Sequence, residues 1–210
     1  MIRLRRQDAD KGKDDDMKVL GITGGVGSGK SRVLGYLEEA YGAVICQMDD
    51  VARKLQQKGT RCFERIVETF GPGILSADRE LDRAALGAVV FSDEERLYEL
   101  NGIVHPEVIR AVRQRIRESE ESGCPLFVVE AALLPDVGRE LCDELWYIYA
   151  DEEVRRQRLR ASRGYTDEKI TQMIASQPGE ERFRAACAVV IDNSGDFEDT
   201  MRQIGEHLKR

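Results

Sequence analysis

Apolar residues rich in β-branched types gather in five short runs: Lys18–Thr23, Ala43–Met48, Leu126–Ala131, Leu145–Ala150 and Ala188–Asn193. Runs of this length, bounded by glycines and polar residues, predict strands buried on both faces; a half-exposed strand would alternate instead. Between the runs the apolar spacing turns helical, beginning with Ser31–Ala40 directly after the first. Strands alternating with helices predict an α/β fold with a mainly parallel sheet. The spacing is uneven. One crossover helix fits between the first two runs, whereas residues 49–125 are far longer than a parallel crossover requires and carry almost no strand signal. Residues 51–122 are therefore expected to form a helical insertion capping one side of the sheet.

Composition narrows the class without changing this picture. Of 210 residues 41% are hydrophobic, which supports a packed core, and no run reaches the roughly 18 apolar residues of a membrane span. The net charge of −7 argues against electrostatic binding of nucleic acid. Residues 1–16 (MIRLRRQDADKGKDDD) hold balanced charges and no apolar segment, so they read as a disordered tail, not a secretory signal, with the fold starting at Met17. The five cysteines are odd in number and form no CxxC pair, a pattern suited to a reducing, cytoplasmic setting. His207 is expected in a polar, exposed helix, and Trp146, Tyr147 and Tyr149 in core packing along the fourth strand.

The decisive chemistry lies in Gly24-Gly25-Val26-Gly27-Ser28-Gly29-Lys30-Ser31, which matches GxxxxGK[ST] between a predicted strand and a predicted helix. Glycines let successive backbone N–H groups face one anion, and the helix N-terminus adds partial positive charge. Lys30 can reach the outer phosphates of a nucleotide, and the Ser31 hydroxyl can take a Mg²⁺ coordination site. No Asn-Lys-x-Asp motif of a guanine-specific GTPase is present. Asp49 closes the second strand, where ligands of an open parallel sheet bind, and could orient or deprotonate a hydroxyl attacking the γ-phosphate. It could equally cap the next helix.

Together these residues resemble the dephospho-CoA kinase family, P-loop kinases of the nucleoside-monophosphate-kinase class. The likeness runs from Ile22-Thr23-Gly24-Gly25 through Asp49 with Val51-Ala52-Arg53 to Leu81-Asp82-Arg83 and Val90-Phe91-Ser92-Asp93. It continues through Leu100-Asn101-Gly102-Ile103-Val104-His105-Pro106 and Val129-Glu130-Ala131-Ala132-Leu133-Leu134 to Val190-Ile191-Asp192-Asn193. Departures are Gln47 for the first Asp of the family's DxD, Ala132 for a proline, Pro135-Asp136 for Phe-Glu and Cys187-Ala188 for Ala-Asp.

The resemblance implies a three-layer P-loop NTPase fold with a five-stranded parallel sheet, a helical substrate-binding insertion and a helical lid near residues 151–178. It implies transfer of the ATP γ-phosphate to the 3′-hydroxyl of dephospho-CoA, the last step of coenzyme A biosynthesis, with Mg²⁺. The nucleotide would be held by Gly25, Val26, Gly27, Ser28, Gly29, Lys30, Ser31 and Arg32, and the acceptor by Asp49, Arg83 and His105. Among Arg155, Arg156, Arg158, Arg160 and Arg163, ungapped matching favours Arg158 as a lid arginine, with Arg163 one residue from the family's second. The His105-Pro106 step is expected to open a helix, since a residue before proline disfavours helical backbone. A kinase for another nucleotide or nucleoside, and a nucleotide-binding regulator weakened by Gln47, are the alternatives. Nothing in the sequence bears on oligomeric state.

Overall fold

In the computed structural model, which describes residues 17–132 and 134–209, the five apolar runs become strands β1 (Lys18–Thr23), β2 (Val44–Gln47), β3 (Leu126–Glu130), β4 (Glu144–Tyr149) and β5 (Val189–Asp192). All four pairings are parallel, in the order β2-β3-β1-β4-β5. The register sets Lys18 opposite Leu126 and Ile22 opposite Glu130, so β1 and β3 end side by side. The expected tail, residues 1–16, lies outside the described residues, as does Leu133.

Successive strand residues point to opposite faces, and each face has its own core. Val19, Phe127, Val129 and Leu145 pack on one side against α2 (Met48–Leu55), α3 (Arg61–Phe70), α4 (Arg83–Val90) and α5 (Glu94–Glu121). Leu20, Ile22, Val128, Trp146, Ile148 and Ile191 pack on the other against α1 (Lys30–Tyr41) and α10 (Phe197–Leu208). These are the three layers. The remaining helices are α6 (Leu134–Val137), α7 (Glu152–Arg163), α8 (Asp167–Ala175) and α9 (Glu180–Ala186). Among the described residues no helix is long and apolar enough to cross a membrane.

The segment between β2 and β3 is helical, apart from an isolated bridge between Leu75 and Leu81. Side chains start its helices: Thr60 accepts from the Phe63 N–H, Asp82 from Ala84 and Ala85, and Asp93 from Glu95 and Arg96. Asp82 thus closes the Leu81-Asp82-Arg83 signature as a cap.

Two expectations are corrected. His105 and Pro106 do not open a helix; they lie inside the 28-residue α5. Pro106 has no N–H for the Gly102 carbonyl, a defect of about 3 kcal/mol in an isolated helix. The buried seam Val104, Val108 and Val112 carries the helix through it, since burying each such side chain contributes about 1.5–3 kcal/mol. His207 is half-buried instead of exposed. It lies one turn beyond the buried Ile204, which sets its ring edge-on to Trp146 at 5.8 Å.

The helix after β1 packs on one face of the sheet through Val33 and Leu37, and the chain after β3 packs on the other through Leu134. Neighbouring strands whose connections leave to opposite sides open a crevice at their carboxyl ends. That crevice lies between Thr23 and Glu130.

Candidate active site at the phosphate loop

The loop after β1 turns back on itself through a bond from the Ser28 N–H to the Gly25 carbonyl, 3.2 Å. Gly29 has φ 88°, a left-handed conformation that glycine adopts without strain, and it leads directly into α1. No side chain caps α1, so its leading N–H groups are left for a ligand, as helix N-termini that bind anions require. The loop lines a polar cavity of about 290 Å³ together with Gln47, Glu130, Arg158 and Arg163.

Lys30 is the loop's own cation in this cavity. Its Nζ donates to the Gly24 carbonyl at 2.9 Å and the Gly25 carbonyl at 3.4 Å, and lies 3.8 Å from Glu130 Oε1. Burial pushes the ammonium pKa below its ordinary 10.5; the charges of Glu130 and Asp49 oppose that fall and Arg155 adds to it. Both carboxylates are therefore within electrostatic reach of the lysine. Glu130 was not singled out from the sequence. The signal was available: an acidic residue ends a buried strand at the sheet edge where ligands bind.

Asp49 stands in the first turn of α2, exposed, while Gln47 occupies the capping position and makes no side-chain cap bond. The alternative that Asp49 caps the helix is thereby removed. Asp49 and His105, far apart in sequence, line one apolar cavity of about 170 Å³ together with Met48, Val104, Val108 and Ala131. The two cavities adjoin along the chain: Gln47 and Glu130 line the polar one, and the next residues, Met48, Asp49 and Ala131, line the apolar one.

The arginines divide. Arg158 donates through Nη1 to the Ser28 carbonyl at 3.3 Å and through Nη2 to the Asn193 carbonyl at 2.8 Å. Arg163 lines the phosphate cavity at its exposed rim. The Arg32 guanidinium stacks on Phe197, 3.9 Å from the ring centre. Arg83 is exposed at the start of α4 and stands outside both cavities. Asn193, buried beneath the loop, was visible only as part of the VIxN likeness; its Nδ2 donates to the Ser28 carbonyl at 2.7 Å.

Comparison with known proteins bears directly on this arrangement. The family model described as dephospho-CoA kinase matches residues 18–199. The chain belongs to the dephospho-CoA kinase family. A curated dephospho-CoA kinase of Carboxydothermus hydrogenoformans is 40% identical over 190 residues, covering 90% of this chain and 91% of that one. That of Geobacter sulfurreducens is 39% identical over 191 residues, covering 90% and 96%. A crystal structure from Thermus thermophilus superposes with a TM-score of 0.78 at 30% identity, covering 92% of this chain and 97% of that one. The chain is accordingly a kinase acting on a small-molecule acceptor. One departure from the family pattern has a structural counterpart, since the Gln47 amide donates to Glu130 Oε2 at 3.4 Å.

Proposed function

We propose that the chain transfers the γ-phosphoryl group of ATP to the ribose 3′-hydroxyl of dephospho-CoA, with residues 51–122 holding the acceptor and residues 151–178 serving as the lid. The observation that carries this reading is the adjacency of the two cavities: Lys30 and Glu130 stand 3.8 Å apart in the polar one, and Asp49, two residues from Gln47 of that cavity, lines the apolar one.

Within the loop of Gly25 to Ser31 the amides from Gly27 onward, with Arg32, hold the nucleotide phosphates, and Lys30 supplies the charge that draws them in. Asp49 orients the acceptor hydroxyl or accepts its proton; because phosphoryl transfer passes through a loose transition state, orientation carries more of the effect. Arg158 and Arg163, on one wall of the cavity, stabilise charge spreading over the transferred oxygens. His105 and the valines of α5 hold an apolar part of the acceptor, and Arg83 meets one of its phosphates from outside the cavity. Closure of α7 and α8 over the site excludes water, the competing acceptor.

Among the described residues no group of three or more His, Cys, Asp or Glu is arranged to hold a metal alone. The Ser31 hydroxyl, lining the phosphate cavity, suits Mg²⁺, which keeps several waters and takes its other ligands from phosphates and one or two protein oxygens. Ser31 would hold it, with Glu130 lining the same cavity. When bound, Mg²⁺ neutralises charge on the outer phosphates. The net charge of −7 supports a small-molecule substrate over nucleic acid, and five free cysteines support a cytoplasmic setting.

The test measures ADP release from ATP and Mg²⁺ with dephospho-CoA, AMP, CMP or uridine offered separately. Turnover with dephospho-CoA alone is expected. Turnover with another acceptor alone overturns the acceptor assignment, and tight ATP binding without turnover indicates a regulator.

A further inference from the structure

The tip of the phosphate loop is held from outside by two side chains that do not line the phosphate cavity. The Val26 N–H donates to Gln177 Oε1 at 2.8 Å. On the next peptide, the Val26 carbonyl accepts from Arg155 Nε, also at 2.8 Å. Arg155 Nη2 then donates to the same Gln177 Oε1 at 3.2 Å, which closes the ring. Arg155 belongs to α7, and Gln177 lies between α8 and α9. Val26 is thus gripped on both sides by the helical arm that follows β4.

The loop is shaped to admit this grip. A Cβ on Gly25 would lie 2.5 Å from Arg155 Nη2, and one on Gly27 would lie 2.8 Å from the Arg155 carbonyl oxygen. At Gly27 the α7 backbone leaves no room for a side chain, and at Gly25 a side chain would displace the Arg155 guanidinium. Gln177 also occupies the Val26 N–H, which leaves the phosphates to the amides from Gly27 onward. The two peptide planes flanking Val26 decide where those amides point. Fixing both planes with directional bonds therefore sets the anion cradle in advance.

We propose that Arg155 and Gln177 are positioning residues that act as one unit on Val26, tying the α7–α9 arm to the orientation of the phosphate loop. The inference rests on the reading above that this loop holds the nucleotide phosphates. Both side chains act through the backbone of Val26, without contact to the reacting atoms. Arg155 adds a second effect, because its cation lies close enough to Lys30 to depress the ammonium's pKa.

A double-mutant cycle on the full chain tests this, with MgADP affinity measured by titration calorimetry for wild type, Arg155→Met, Gln177→Leu and the double variant. Each single change should weaken MgADP about tenfold, the effect of losing one charge-assisted bond. If the two act as a unit, the double variant is also weakened about tenfold; independent action gives about a hundredfold. Gln177→Glu keeps an acceptor for both donors and should return affinity to within about threefold of wild type. The KM for dephospho-CoA should stay within about twofold in all four variants, a split that general loosening of the fold would not produce.

Additive losses, unchanged affinity, or equal losses for Gln177→Leu and Gln177→Glu each overturn the proposal. Should Arg155→Met not fold, the two Gln177 variants decide alone. Wild-type protein that binds no MgADP would sink the nucleotide reading and this inference together. Wild-type binding with additive singles sinks the inference alone.

Discussion

Replacing Asn193 probes the support beneath the phosphate loop. The residue is 2% exposed, its Nδ2 donates to the Ser28 carbonyl at 2.7 Å, and its Oδ1 accepts from Thr200 Oγ1 at 3.0 Å. A Cβ on Gly29 would lie 2.2 Å from that amide nitrogen, so loop and asparagine are fitted to each other. Asn193→Ala leaves the Ser28 carbonyl with only the longer contact from Arg158 Nη1, at 3.3 Å. The lost bond and the small void together should cost about 2–4 kcal/mol. For a chain of this size that corresponds to a fall in Tm of roughly 5–15 °C.

Asn193→Asp keeps the volume and reverses the polarity, turning an acceptor toward the Ser28 carbonyl. Burial against that oxygen raises the aspartate's pKa above the ordinary value of about 3.9. Between the two values the folded chain binds more protons than the unfolded one, so stability relative to wild type falls as pH rises. The deficit should be small at about pH 4 and complete above the raised pKa. Urea unfolding followed by circular dichroism across that range measures both variants. An Asn193→Ala protein as stable as wild type refutes the reasoning, as does a pH-independent deficit for Asn193→Asp.

Burial has lowered the Lys30 pKa, so raising the pH removes its charge sooner than from an exposed lysine; kcat/KM for ATP should decline on an alkaline limb centred below 10.5, and a flat profile up to that value would contradict the assignment. Burial pushes the Cys142 thiol up to about 12 and Cys187 up to about 11. Both should therefore resist alkylation in the native protein at neutral pH and react once it is unfolded, which mass spectrometry of iodoacetamide-treated samples reads directly. Asp82→Ala removes a cap that accepts two backbone N–H groups and should cost about 1 kcal/mol of unfolding free energy. The exposed Arg83→Ala should leave stability within about 0.5 kcal/mol and raise only the KM for the acceptor.

Much of the fold was readable because parallel strands buried on both faces leave unbroken apolar runs. β1 coincides with its predicted run, and the other four strands lie within a residue or two of theirs. The phosphate loop was readable for a related reason: its chemistry demands particular residues at fixed spacing in one continuous segment. What escaped depends on contacts between distant segments. Glu130 acquires its meaning from the register that sets β3 beside β1, and Gln177 from a fold that returns it to Val26. Gln177 carries no charge and no motif. His105 was misread locally, since the proline rule weighs one local clash and the structure weighs a whole apolar seam. Yet the fold brings His105 into the cavity that Asp49 also lines, a proximity no sequence spacing could indicate.

The proposed roles assign Asp49 to the acceptor hydroxyl and the phosphate loop to the nucleotide, each independent of the other. Asp49→Asn, which keeps shape and removes the basic oxygen, isolates that role. Its kcat for dephospho-CoA phosphorylation and its Kd for MgATP should be measured on the same preparation. The kcat should fall by at least about a hundredfold with Kd within about threefold of wild type. A kcat within a few-fold of wild type, or a Kd that rises in step with the lost turnover, would contradict that assignment.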